Sequence, residues 1–346
     1  METTLPVEVL SRAYRLGRWE SVRLLPGGKS QHYHIVTTGG EYVLRRSHRS
    51  KTAAAMTFEH SLIRHLRQHG FPAPEVVPTG EGGTWLSVDG RLYSVSVFVR
   101  GSPYQAGNRE HLREVARALA RYHSIVDSFR PPCLGLVAPF LPEGLGRRLR
   151  ELPPLESGAP PLVARGDGDP RAKEALALLP YLLTKGREVL RALEELYPQL
   201  PPAVVHAGCR RGSALFQGDR LLAMLDFDSA RLEARTLDLA VALHDLGKVY
   251  GDPSSPQHKV ALDLKNVREF LLAYREVMPL REAELEVLPA ILMAKRLRRA
   301  LGRCHRLLRG EPLSDGDLRK VLLEAARVQW LEAHARELQE ALASAA

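Results

Sequence analysis

Two carboxylates, Asp226 and Asp228, close the run "LLAMLDFD". Leu221 to Leu225 is apolar and reads as a short strand, with Asp226 at its end. A carboxylate at that place suits a hard divalent cation, because Mg2+ takes oxygen ligands and bridges nucleotide phosphates. A solvated strand end would explain Asp226 equally well if it stood alone. Upstream, "EYVLRR" carries Arg45 in a strand-like run, and "FEHSLIRHL" carries Glu59 in a helix-like one. A cation on a strand and a carboxylate on the next helix form an ion pair that positions α- and β-phosphates. Alone, Arg45 is a surface arginine on an edge strand. "LLPGGKSQHYHIV" supplies a turn at Gly27 and Gly28, able to lie over phosphates but shared with any hairpin. Asp238, before "LAVAL", reads as a helix cap or N-terminal charge.

These residues need elements to hold them. "ESVRLLPGGKSQHYHIVTTGGEYVLRRS" reads as two or three short strands broken at Gly27-Gly28 and Gly39-Gly40. "TAAAMTFEHSLIRHLRQHG" has apolar residues at Met56, Leu62, Ile63 and Leu66, the spacing of a helix closed by Gly70. "PAPEVV" resumes extended chain, and "TWLSVDGRLYSVSVFV" reads as a hairpin turning at Asp89-Gly90. "NREHLREVARALARYHSIVDSF" is an amphipathic helix. Pro131 to Pro170 is rich in Pro and Gly and predicts loop, with one short helix near Leu145–Leu152. "AKEALALLPYLLTKGREVLRALEELY" is helical, and Pro180 should break or kink it. Val204 to Ala230 forms short strands again, and from Thr236 onward the chain is nearly all helix.

The motif series resembles the superfamily of aminoglycoside phosphotransferases, choline kinases and homoserine kinases, from about Ser21 to Leu243. Its parts stand in family order: "PGGKSQHY", "YVLRR", "FEHSLIRHLRQHGFPAPEV", "YSVSVFVRG", "LARYHS", "VVHAGCRRGSALF", "MLDFDSA" and "LDLAVAL". The resemblance implies an α+β, bilobal, protein-kinase-like fold. Residues 1–101 would be a β-rich nucleotide-binding lobe. Residues 102–346 would be a helical lobe holding a degenerate catalytic loop at 204–216. The polar motif residues would converge on the cleft between lobes. The resemblance further implies ATP and Mg2+, with Gly27, Gly28, Arg45, Glu59, Ser96 and Phe98 at the nucleotide, and Asp226 and Ser213 at the metal. Kinases usually place lysine where Arg45 stands, although the guanidinium fork also grips phosphate.

The departures matter more. The family stretch resembles H-G-D-x-x-x-x-N-x-L-F. Here His206, Leu215 and Phe216 fit, Ala207 replaces the glycine, Gly208 stands at the catalytic aspartate and Ser213 at the metal-binding asparagine. No carboxylate lies between His206 and Asp219. In the family that aspartate orients the substrate hydroxyl and accepts its proton, which glycine cannot do. Losing a positioned base removes roughly 10²–10⁴ in rate, or about 3–5 kcal/mol of barrier. Asp228 is the one substitute base in sight, since residues i and i+2 of a strand end point the same way. His206 is a structural hydrogen-bonding residue in the family, and Cys209 reads as a small loop hydrophobe. The expectation is a pseudokinase or a slow, non-standard small-molecule phosphotransferase. The alternatives are an active kinase using Asp228 and a nucleotide-sensing or partner-binding scaffold.

Other features bound the reading. "ALHDLGKVYGD" resembles the metal-binding His-Asp phosphohydrolases at His244-Asp245, but no second histidine-bearing helix accompanies it. "KRLRRALGRCHRLLRG" places Leu297, Leu301, Cys304 and Leu308 on a buried stripe, with solvated basic residues covering the other faces and pairing with acidic neighbours such as "EAELE". That basic surface invites an anionic partner, but it lacks interleaved aromatics, which argues against single-stranded nucleic acid. The chain has 346 residues, a net charge of +9, and three cysteines without a CxxC pair. Those features predict two lobes, no disulfide framework, no secretory signal, no membrane span and a cytoplasmic setting. The partners expected are a nucleotide and an unidentified small-molecule acceptor or protein.

Overall fold

The computed structural model describes residues 5–133, 140–152, 169–249 and 257–345. In chain order the first elements are α1 (Val7–Tyr14), β1 (Trp19–Leu25), β2 (Gln31–Thr37), β3 (Gly40–Arg46), α2 (Ala53–Gln68), β4 (Val76–Val77), β5 (Leu86–Val88), β6 (Arg91–Val97), β7 (Ser102–Pro103) and α3 (Arg109–Val126). Then follow α4 (Leu141–Arg150), α5 (Pro170–Ala177), α6 (Leu179–Leu196), β8 (Pro202–Val205), β9 (Ala214–Gln217), β10 (Arg220–Met224), β11 (Arg231–Ala234), α7 (Thr236–Leu246), α8 (Gln257–Val260), α9 (Leu264–Arg275), α10 (Glu282–Leu308), α11 (Asp315–Ala333) and α12 (Ala335–Ala343). The architecture is α+β and of the protein-kinase-like class, with an antiparallel N-terminal sheet and a helical C-terminal region.

The chain divides into two compact units. One comprises Met1–Gln105, Arg121–Val137 and His206–Arg231; the other comprises Ala106–Ala120, Ala138–Val205 and Leu232–Ala346. The degenerate loop and the two closing aspartates thus cluster with the N-terminal sheet.

In the first unit the sheet runs β1-β2-β3-β6-β4, with β5 pairing β6, and every pairing is antiparallel. The hairpin expected at Asp89-Gly90 is present: both residues have positive φ, as a two-residue type I′ turn demands. Side chains alternate across the sheet, so register sorts them into two sets. Tyr33, Leu44 and Val95 share one face, where Ile35, Leu44, Tyr93 and Val95 form a buried core with Leu10 and Tyr14 of α1. Each fully buried Leu or Ile there contributes about 1.5–3 kcal/mol. That first helix was not read from the sequence, because "VEVLSRAY" is short and opens without a side-chain cap. His32, Arg45 and Ser94 are aligned on the opposite face. α2 is capped by Thr52, which accepts from the Ala55 amide, and Gly70 beyond its end has φ 72°. β9 and β10 form a second, small sheet with β7.

The second unit is dominated by α10, which packs against α4, α6, α7 and α11. The helix expected across Pro180 breaks at Leu178, where α5 ends, and the proline sits in the first turn of α6. The short helix expected at Leu145–Leu152 instead spans Leu141–Arg150, because Pro142 is well placed in a first turn. The rest of the expected loop between Pro131 and Pro170 falls largely at 134–139 and 153–168, outside the described residues. Two readings of α10 need correction. Lys295 and Arg296 are buried rather than solvated. Among the described residues Arg296, Arg299 and Arg303 pair with Glu324 and Asp317 of α11, and Arg306 with Glu311, rather than with "EAELE", whose Glu284 clamps Arg235 instead. A helix this long is covered on several sides, so single-helix periodicity cannot say which polar faces are covered.

Candidate active site

The sheet face carrying His32, Val43, Arg45, Ser94 and Ser96 forms one wall of a cavity of about 350 Å3 in the first unit. Leu25 and Pro26 come from the end of β1 and its turn. Phe98, Val99 and Gly101 follow β6. Glu59 and His60 come from α2, while Leu215, Leu225, Asp226 and Phe227 come from the segment around β9 and β10. Of the residues singled out in the sequence, Arg45, Glu59, Ser96, Phe98 and Asp226 line this cavity. Gly27, Gly28, Gly208, Ser213 and Asp228 are not among its lining residues. The two glycines have φ 110° and 77°, so they shape the β1–β2 turn, while the neighbouring Leu25 and Pro26 form the wall.

The ion pair is made as expected. Arg45 Nη1 donates to Glu59 Oε1 at 2.6 Å, and Arg45 Nη2 reaches the Met56 sulfur at 3.0 Å. Sequence reading missed a second cation. Lys51, in the loop before α2, holds Glu59 Oε2 at 2.8 Å and donates to the Asp228 backbone carbonyl at 3.2 Å. The signal was weak, since Lys51 lies in the basic run "RRSHRSK"; the arginine at 45 was the reason to look for a lysine nearby. Burial alone would push the Glu59 carboxyl up, but Arg45 and Lys51 outweigh it and hold it at about 2. His60, the next residue, is driven down to about 4, chiefly by burial.

Asp226 follows β10 with φ 66°, a left-handed conformation that aspartate tolerates better than most residues. By accessible surface the residue is exposed, although protein crowds its carboxylate. Surrounding protein raises its carboxyl to about 6, chiefly by burial and then by the neighbouring charge of Asp228. Asp226, Asp228 and Glu59 therefore place negative charge around the same point.

The loop from His206 is held by hydrogen bonds of its own. Ala207 has φ 57°, where glycine is the least strained residue. His206 Nε2 donates to the Leu225 carbonyl at 2.9 Å, and Nδ1 accepts from the Gly208 amide at 3.0 Å. These partners fix one neutral tautomer, and neither ring nitrogen is left to take a proton from a substrate. The Ser213 hydroxyl donates to the Arg210 carbonyl at 2.8 Å and accepts from the Arg210 amide at 2.7 Å. It closes the loop on itself and is buried. A Cβ at Gly208 would lie 3.1 Å from the Asp226 carbonyl oxygen and 3.2–3.3 Å from the His206 ring.

The cavity fits a magnesium nucleotide on two observations. Arg45 Nε is buried without a hydrogen-bond partner, a donor suited to a phosphate oxygen. The crowded carboxylates at Asp226 and Asp228 favour a hard cation. Apolar Leu25, Val43, Val76, Phe98 and Leu215 offer a slot for a flat base.

Residues 21–269 match the phosphotransferase enzyme family. The chain belongs to that family. Among its relatives, a homoserine kinase of Methylobacterium radiotolerans is 28% identical over 293 residues, covering 84% of this chain and 82% of the relative. A homoserine kinase of Sinorhizobium medicae is 27% identical over 306 residues, covering 87% and 83%. Among solved structures, a microcompartment-associated aminopropanol kinase superposes with TM-score 0.69 at 18% identity, over 96% of this chain and 98% of that one. An amicoumacin kinase, solved with AMP-PNP and Ca2+, gives TM-score 0.66 at 16% identity, over 95% and 93%. These structural likenesses establish the kinase-like fold. The His-Asp hydrolase alternative gains nothing: no cluster of three metal-ligating side chains occurs among the described residues, and burial drives the His244 imidazole far down.

Proposed function

We propose that this family member binds a magnesium nucleotide in the cavity of the first unit and transfers its phosphoryl group slowly, lacking the usual base. Arg45 and Lys51 would hold phosphate oxygens, with Glu59 fixing both cations. Asp226 and Asp228 would hold the metal ion, which would supply positive charge against the phosphates. Ser213 serves as a loop clasp in this reading rather than as a metal ligand. The relatives suggest the acceptor, a small amino acid or amino alcohol with a primary hydroxyl. The observation that carries the proposal is the space at Gly208. The Asp226 carbonyl and the His206 ring close on the spot where a catalytic side chain would begin, and both nitrogens of that ring are occupied.

A second reading has one observation in its favour. Asp228 is exposed and its charge reaches both Arg45 and Asp226, so it could accept the acceptor's proton. Calorimetry with Mg-ATP, followed by transfer assays on homoserine and amino alcohols, separates the readings. Slow transfer is expected to show binding with turnover roughly 10²–10⁴ below an ordinary kinase. Ordinary turnover that Asp228→Asn abolishes while Mg-ATP affinity stays unchanged would establish the substitute base. No nucleotide binding at millimolar concentration would overturn both. Restoring Gly208→Asp with Ser213→Asn should raise turnover more than either change alone, by about 10² if the variant folds.

A further inference from the structure

α2 borders a second cavity of the first unit, of about 700 Å3, closed by β4 and by the segment Gly82–Trp85 that leads into β5. It shares His60, Ile63 and Val76 with the nucleotide cavity, so these three residues form a common wall. We propose that it is a binding site for a flat aromatic monocarboxylate, distinct from the nucleotide cavity and independent of the reading given to that cavity.

The volume is that of a small-molecule site. Thr57, His60, Ser61, Arg64 and Gln68 recur at helical spacing, so α2 turns one face towards the cavity. Several polar groups there are already engaged. Ser61 Oγ donates to the Phe58 carbonyl at 2.8 Å. Arg67 donates to the Ala73 carbonyl at 2.7 Å and to Glu75 Oε2 at 2.9 Å. Arg67 and Glu75 thus offset each other, and Glu75 is the one carboxylate among the described lining residues. Arg64 is exposed and has no ion pair or hydrogen bond among the described residues. One uncompensated guanidinium fork remains, and it matches one carboxylate. His60 lacks a partner too. It is 5% exposed, and its Nδ1 is buried without a hydrogen bond, a costly state for a polar atom. It stands one helical turn before Arg64, so a single carboxylate can accept from both. The aromatic part has its own support. Trp85 Nε1 donates to Thr57 Oγ1 at 3.2 Å, which fixes the indole against α2 with its donor spent. Ile63, Val76 and Pro132 extend this apolar lining. The turn before Trp85 is tied as well: the Thr79 amide donates to the Gly83 carbonyl at 2.6 Å, and the Gly83 amide to the Thr79 hydroxyl at 3.1 Å. Walls fixed in advance reduce the ordering cost of binding.

The test is calorimetric titration of the full chain with 2-naphthoate at physiological salt. Saturable one-to-one binding is expected, with a Kd of about 1 mM for a probe of this size. Arg64→Gln should weaken it at least about tenfold, the loss expected for a charged hydrogen bond. Arg64→Lys keeps the charge without the fork and should fall between that variant and the parent. Trp85→Leu should weaken binding as well, with circular dichroism checking the fold; should that variant unfold, the exposed Arg64 decides alone. Val43→Phe, which narrows the nucleotide cavity, serves as the control and should leave the affinity within about twofold. Non-saturating binding, or equal affinity in Arg64→Gln, overturns the site. Loss of binding in Val43→Phe with none in Arg64→Gln also overturns it, by placing the probe in the nucleotide cavity. Equal binding of the charge-reversed 2-naphthylmethylammonium overturns the match to a carboxylate.

Discussion

Adding one methyl group at Gly208 tests whether this loop has been rebuilt around a glycine. The φ of Gly208 lies outside the left-handed region, so alanine meets no backbone penalty there. Its Cβ would still sit 3.1 Å from the Asp226 carbonyl oxygen and 3.2 and 3.3 Å from His206 Nδ1 and Cε1. Neither neighbour yields readily. The carbonyl belongs to a residue at φ 66°, and the ring is fastened at both nitrogens. Overpacking of this kind costs roughly 1–3 kcal/mol. Replacing glycine at a compatible φ returns about 0.4–1 kcal/mol through the unfolded chain. Gly208→Ala should therefore destabilise by about 1–2 kcal/mol. For a chain of this size that is a fall in Tm of roughly 2–5 °C. Thermal and urea denaturation of Gly208→Ala and Gly208→Asp, followed by circular dichroism, measure it. A Gly208→Ala protein as stable as the parent would show that the loop still has space for a side chain. The case for slow transfer would then rest on the missing carboxylate alone.

His60 is buried and its imidazole is held at about 4, below its ordinary 6.5, so the unfolded chain takes up a proton that the folded one refuses. Its contribution is present above pH 6.5 and is lost as pH falls towards 4, about 3 kcal/mol in total; His60→Gln should flatten that part of a stability-versus-pH curve, and an unchanged curve would refute the burial argument. Asp226 has the opposite sign: its carboxyl is raised to about 6, so ionisation at neutral pH opposes folding. Asp226→Asn should stabilise the unliganded protein at pH 7 by about 1 kcal/mol, after discounting for its solvent access, and lose the advantage below about pH 4, while Mg-ATP affinity falls; a destabilised variant at pH 7 would contradict the crowding of carboxylates. Lys51→Met should weaken Mg-ATP binding by about tenfold, as expected for one charged phosphate contact, with affinity read by calorimetry and an unchanged value placing Lys51 outside the site.

The order of residues alone announces the class of fold, the family and the Arg45–Glu59 pair. Those follow from local patterns: strand alternation, helix spacing, and motif residues lying in chain order. It also determined that the chain offers no carboxylate between His206 and Asp219, since side-chain chemistry is written residue by residue. Tertiary structure decided what the surviving residues do. Lys51 joins Glu59 because the loop before α2 brings it near Asp228, which no spacing rule announces. Ser213 is engaged with Arg210, and His206 with Leu225 and Gly208, because buried polar groups take the nearest partners the chain path allows. The glycine turn reads as one able to lie over phosphates, and the structure adds that the neighbouring Leu25 and Pro26 line the cavity, since a turn signal fixes backbone conformation but not the neighbouring surface. Arg296 looked like a solvated residue and is buried against Glu324, because α10 is packed by other helices on several sides. Periodicity reports one apolar face; which polar faces are also covered depends on how many neighbours a helix acquires, and that is a property of the packed molecule.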